Sequence, residues 1–313
     1  MTLAAEAPDL DVLYSLKGPV FGFAHHRGFT HSFLGLILSS ALVVGFMYLI
    51  WFLRGKRTNL PDLPPRWGLL FLFAYIAGLS HILLDFTNNY GVRPFWPFSE
   101  KWYSWDITFI LEPPILIFLI AGLLLPSLFS KQKPVPRGRI GATLSLTCVV
   151  ALWAVRSYEA TKIRHALAQE RFNAESPLRV SAYTYWTTTP RWLIAMRWSA
   201  VIETGKSFVT ADVNPAAGNL DAATRIIIAK PPETAATLAA KRSYLGRVYL
   251  DWARYPLVTE TFEGQYSVVY FQDLRFGYRG RRPSLLTASV RLDGNLHVIG
   301  ESMGTRAQSP PID

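Results

Sequence analysis

His25-His26-Arg27-Gly28-Phe29-Thr30-His31-Ser32 runs directly into 21 nearly uninterrupted apolar residues, Phe33 to Leu53. At about 1.5 Å per helical residue, that run crosses a hydrocarbon layer of roughly 30 Å. Three imidazoles therefore stand at the mouth of a membrane span. A fourth, His81, lies near the end of the next apolar run, about Trp67 to Leu84. Asp85 follows it by one helical turn and so shares its face. Upstream, Pro8-Asp9-Leu10-Asp11 alternates two carboxylates, which point the same way if that segment is extended. Imidazole and carboxylate are the usual ligands of zinc, manganese or iron, so Asp9, Asp11, His26, His31, His81 and Asp85 form a candidate ligand set.

A third apolar run, about Ile107 to Leu125, is interrupted by Glu112-Pro113-Pro114, where proline is expected to kink a helix. A carboxylate inside a span is costly unless paired or wetted, which makes Glu112 a functional candidate. The fourth span, about Ile140 to Val155, continues as a helix over 156–175. Between the second and third spans, residues 85–105 have the polar and aromatic composition of an interfacial loop. The loops after spans one and three, 54–66 and 126–139, hold four Lys/Arg each, against two each in the N-terminal segment and the second loop. By the positive-inside rule those basic loops are cytoplasmic, and all six candidate ligands then share the outer face with everything after span four. Arg156, Lys162 and Arg164, just beyond span four, run against that rule.

Half of the 313 residues are hydrophobic and 17% are charged, with the apolar excess in the first half. The net charge of +10 is spread along the chain, which suits a neighbour of anionic lipid, and no dense basic tract points to nucleic acid. Met1 is followed by an acidic segment, so no signal peptide is expected. The lone Cys148 lies in an apolar run and cannot form an intramolecular disulfide.

Beyond Ser176-Pro177 the texture becomes β-like. Arg191–Ile202 and Ser207–Val213 predict one hairpin, and Ser284–Arg291 with Leu296–Ile299 predict another around Asp293-Gly294-Asn295. Gln265–Phe276 reads as a further strand, and Pro231-Pro232-Glu233 opens a helix to about Trp252. The expected fold is an α-helical membrane domain of about four spans, residues 1–158, followed by an extramembrane α+β domain with an antiparallel sheet, residues 159–313. His165 and His297 stand isolated in the second domain, which carries no catalytic motif.

Pro8-Asp9-Leu10-Asp11, His26-Arg27-Gly28-Phe29-Thr30-His31-Ser32, His81-Ile82-Leu83-Leu84-Asp85, Tyr90-Gly91, Trp96-Pro97-Phe98 and Trp105-Asp106 occur in that order. Together they resemble the membrane-bound YdjM-like family, assigned as LexA-binding, inner-membrane-associated, metal-dependent hydrolases. The resemblance spans about residues 5–125. It implies a multi-pass inner-membrane protein whose matched Asp and His residues hold metal. Family members carry a further apolar segment with a Thr-His upstream of the Pro-Asp-Leu-Asp element, and nothing here matches it.

The leading expectation is hydrolysis at the outer leaflet by one or two divalent metal ions, zinc before manganese, on a small-molecule or lipid-linked substrate such as a phosphoester. Asp106 or Glu112 would serve as general base or orient a ligand, and Arg27 and Arg93 would bind an anionic group. For Arg93 the rival role is a headgroup anchor at the interface. One alternative is a non-catalytic membrane anchor that binds a protein partner through its C-terminal domain. Another is a cation transporter, with Glu112, His81 and Asp85 along its path. Metal content separates the first from the second, and cation accumulation in proteoliposomes identifies the third.

Overall fold

The computed structural model describes residues 1–55, 65–128, 135–188, 194–277, 286–304 and 306–308. Parts of both basic loops, 56–64 and 129–134, lie outside the described residues, as do 191–193 and 284–285 of the expected hairpins. The helices are α1 (Thr2–Glu6), α2 (Pro19–His25), α3 (Phe33–Gly55), α4 (Trp67–Thr87), α5 (Pro113–Leu128), α6 (Val135–Gln169), α7 (Ala235–Arg242) and α8 (Tyr244–Trp252). The strands are β1 (Arg179–Thr188), β2 (Ile194–Glu203), β3 (Ser207–Asn214), β4 (Asn219–Leu220), β5 (Ile226–Ala229), β6 (Pro256–Glu263), β7 (Tyr266–Asp273), β8 (Ala288–Leu292), β9 (Val298–Met303) and β10 (Arg306–Gln308). Among the described residues, three helices are long and apolar enough to cross a membrane: Phe33–Arg54, Trp67–Thr87 and Gly138–Gln169. The apolar helix Pro113–Pro126 is shorter. A helical membrane part is thus followed by α+β structure with antiparallel sheets.

Two compact units divide these elements. One comprises residues 1–86, 91–104 and 230–313, and the other residues 87–90 and 105–229. In the first unit, the sheet runs β10-β9-β8-β7-β6, all antiparallel. Helix α2 packs against α8 and β9, with Phe23 set edge-on to Trp252 at 5.2 Å. Leu36 of α3, Ile82 of α4 and Val92 form a small buried cluster, while most other side chains of α3 and α4 stay exposed, as lipid-facing residues do. In the second unit, β1-β2-β3 form an antiparallel sheet whose far edge is shared by β4 and β5. Its core joins Ile163 and Leu167 of α6 to Trp198, Ile202 and Val209.

Several expectations need correction. The third span is not kinked by Pro113-Pro114; α5 begins at them. Proline is favoured in a first turn, where its missing donor would have been unpaired anyway. Glu112 consequently precedes the helix, where its carboxylate accepts the Phe109 amide at 3.0 Å and pairs with Arg156 at 2.9 Å. The fourth span is a single 35-residue helix that ends at Gln169 instead of near Glu175. The helix expected to run through Trp252 breaks at Ser243, whose hydroxyl accepts the Gly246 amide and starts α8 anew. Strands β1, β4, β5, β6 and β10 lie outside the expected strands. Residues 7–17 are not extended but 3₁₀-helical, with consequences for the acidic pair they carry.

Candidate metal centre

Ser32 fixes the mouth of α3. Its hydroxyl accepts the Gly35 amide at 2.9 Å and donates to the Phe29 carbonyl at 2.7 Å. That cap holds the short 3₁₀ turn Phe29–His31 against the helix start. A Cβ on Gly35 would strike the Phe29 carbonyl oxygen, so glycine makes the approach feasible. His31 is left fully buried beside the last turns of α4, its ring centroid 5.3 Å from that of His81. The start of one span and the end of the next therefore meet on one side, as the sequence required.

Around these rings, donor atoms alternate. Asp9 Oδ1 lies 3.4 Å from His31 Nε2 and 3.4 Å from His81 Nε2. Asp85 Oδ2 lies 3.3 Å from His31 Nε2 and 3.5 Å from His81 Nε2. A tetrahedral ion with bonds of about 2.0–2.2 Å separates neighbouring ligands by about 3.3–3.6 Å, the spacing of Asp9 from each imidazole. Asp9, His31 and His81 have their ligand atoms all within 4.8 Å of one another. Both Nε2 atoms are buried and lack a hydrogen-bond partner among the described residues. Buried polar atoms without partners are costly, and here they aim at carboxylates, a donor set that fits zinc or manganese.

Asp11 and His26 sit one layer out. Side chains two apart in a 3₁₀ helix differ by about 240°, whereas in an extended strand they would coincide. Asp9 and Asp11 therefore take opposite sides of the His31 ring. Asp11 Oδ2 is 3.3 Å from His31 Nδ1, and its Oδ1 is 3.0 Å from His26 Nδ1. The Arg27 amide donates to Asp11 Oδ2 at 2.7 Å. Thr30, which the sequence reading passed over, donates its hydroxyl to Asp11 at 3.3 Å and lies 3.1 Å from His31 Nδ1. Its one sequence signal was its place beside His31 in the motif. A carboxylate on the far nitrogen is the usual way a ligating imidazole is oriented.

Arg27 donates Nη2 to Asp85 Oδ1 at 2.7 Å and Nη1 to the Gly91 carbonyl at 3.2 Å. It holds a cluster carboxylate, a part the sequence had offered to an anionic substrate. Arg93 donates to the Ala24 carbonyl at 2.7 Å and stacks over Trp102 at 4.5 Å. Asp106 and Glu112 belong to the second unit. There Asp106 lies 3.9 Å from Arg164 and accepts from Ser181 at 3.4 Å, while Glu112 pairs with Arg156. Those contacts give neither carboxylate a catalytic part.

Proximity sets the charges. The His31 and His81 imidazoles beside it hold the Asp9 carboxyl well below the usual carboxylate range. Burial would raise Asp11, but hydrogen bonds with His26 and His31 outweigh it and hold its carboxyl low as well. Burial pulls His31 down, and the Asp11, Asp85 and Asp9 carboxylates beside it more than reverse this, raising it to about 10. Without a cation, protons on imidazole balance the carboxylates.

A polar cluster gathered at the ends of two apolar helices, followed in the chain by α+β structure, defines a membrane protein with a histidine–aspartate centre. The chain belongs to the YdjM inner membrane protein family, which matches residues 1–163. It is 27% identical over 300 residues to the uncharacterized protein YfhP of Bacillus subtilis (strain 168), covering 93% of this chain and 81% of that one. No solved structure matches.

Proposed function

We propose that this chain is a membrane-bound, metal-dependent hydrolase whose ion is held by Asp9, His31 and His81, with Asp85 as the fourth ligand. The observation that carries this reading is the pair of buried imidazole nitrogens without hydrogen-bond partners, set between two carboxylates at ligand spacing. Zinc is the first choice and manganese the second. Such an ion supplies Lewis-acid activation of water and of the scissile group near neutral pH. The chain's own residues do the rest. Asp11 and Thr30 grip Nδ1 of His31 so that Nε2 faces inward, and Arg27 fixes Asp85 through the oxygen that faces away from the rings. Asp9 is half exposed and forms the open edge, where a phosphoester or a lipid-linked ester reaches the centre. By the positive-inside rule, the basic loops support a centre on the outer face of a multi-pass inner-membrane protein.

Elemental analysis of detergent-purified protein tests the ligand set. Wild type should carry about one equivalent of divalent metal, and His31→Ala/Asp85→Ala close to none. Equal metal in both removes these ligands. Metal-loaded wild type should hydrolyse at least one member of a phosphoester panel, with loss of turnover on chelation; a metal-loaded protein inert on every ester favours the anchor alternative.

A further inference from the structure

The 3₁₀ segment Ala7–Lys17 carries an unexplained surface. A 3₁₀ helix has three residues per turn, so positions three apart line up in rows. One row is Pro8, Asp11 and Tyr14, of which Pro8 and Asp11 are buried against the protein. The row beside it is Leu10, Leu13 and Leu16, which are 61%, 58% and 85% exposed. Three leucines in register, all in the open, make no sense against water on an element whose neighbouring row buries Pro8 and Asp11.

What lies beside the row identifies its occupant. The segment packs on α3, a candidate membrane span whose first turns expose Phe33, Leu34, Ile37 and Leu38. The loop after α4 meets the same place: the Phe33 amide donates to the Pro94 carbonyl at 2.9 Å, and Phe33 and Phe95 meet edge-on at 5.4 Å. That loop exposes Phe98 at 87%. Two apolar surfaces from separate stretches of chain thus flank the start of one lipid-facing helix.

We propose that Ala7–Lys17 is an interfacial element, with Leu10, Leu13 and Leu16 seated in the boundary between headgroups and acyl chains. An interfacial helix buries its apolar face roughly 5–10 Å into that boundary. The same element carries Asp9 and Asp11 on its other rows, so the bilayer surface becomes part of what positions the carboxylates. This surface stands whether or not the centre hydrolyses anything.

The test is depth labelling. In a Cys148→Ser background, Leu13→Cys and Leu16→Cys are each labelled with nitrobenzoxadiazole in phosphatidylcholine/phosphatidylglycerol nanodiscs. Phe262→Cys, an exposed aromatic position on β6, is the reference. The ratio of quenching by doxyl-labelled lipid to quenching by aqueous iodide should be severalfold higher at 13 and 16 than at 262. Equal ratios at all three sites overturn the proposal. So does a label at 13 or 16 shielded from both quenchers, which would mean that a second copy or another protein segment covers the row. With two labelled positions, one misfolded variant leaves the other decisive.

Discussion

Two buried charge clusters in the same unit behave in opposite ways. At the end of β7, Asp273 and Arg275 are both about 1% exposed, and the carboxylate accepts from the Arg254 and Arg275 amides and from the Arg275 side chain. The guanidinium also stacks on Trp252 and Phe276, each at 5.2 Å. Around His31, by contrast, two imidazole nitrogens meet two carboxylate oxygens at 3.3–3.5 Å without a hydrogen bond to satisfy either nitrogen. The first cluster is complete as protein and stabilises a strand end. The second has the spacing of a site that something else completes. Burial and charge alone do not separate the two; the state of each polar atom does.

Breaking the complete cluster should cost most. Asp273→Ala strands a buried guanidinium and should lose about 3–5 kcal/mol, lowering the thermal midpoint in detergent by on the order of 10 °C. Metal content per folded molecule should stay at the wild-type value. A large loss of metal with no loss of stability would reverse the contrast.

Asp11→Asn attacks the orienting layer of the other cluster. It should weaken metal affinity by about 10–100-fold, as losses of this kind generally do, while the thermal midpoint of metal-free protein moves little. Competition with a chromogenic chelator reads the first quantity and scanning fluorimetry the second. Unchanged affinity would mean that Asp11 does not orient His31.

Smallest is the pH effect, whose sign differs with and without metal. His31 is raised from 6.5 to about 10, so its contribution to metal-free stability is fully present below pH 6.5 and is lost as pH rises through about 10. Asp9 and Asp11 are lowered from 3.8, so theirs is present above that value and is lost as pH falls through their depressed folded values. Metal-free protein should therefore soften on the alkaline side. Added zinc must displace the imidazole proton, so zinc stabilisation should grow between pH 6 and 8, by up to about tenfold in affinity per unit for each proton released. Zinc stabilisation that is flat over that range would argue against His31 as a ligand.

Much of the centre was legible in the chain. His81 and Asp85 had to share a face because they lie one turn apart in an apolar run, and His31-Ser32 had to mark a span mouth because polarity changes there within two residues. The spans over α3 and α4 followed from length and composition alone. Less legible were the break at Ser243, where a side-chain cap overrides a sequence that could have stayed helical, and β6, whose mixed composition gave no alternation. Glu112 was misplaced because a proline pair reads equally well as a kink or as a helix start, and only the neighbouring amide and Arg156 distinguish them.

By itself the sequence determined that this protein inhabits a membrane and offered six separated acidic and imidazole groups, Asp9, Asp11, His26, His31, His81 and Asp85, as one candidate set. Apolar length and the one-turn repeat are local properties that need no partner. Only the tertiary structure decided which groups face one another. The 3₁₀ winding of residues 7–17 turns Asp9 toward Nε2 and Asp11 toward Nδ1 of one histidine, and turns three leucines outward. That winding is set by packing against α2 and α3, contacts between elements that no local pattern in the chain records.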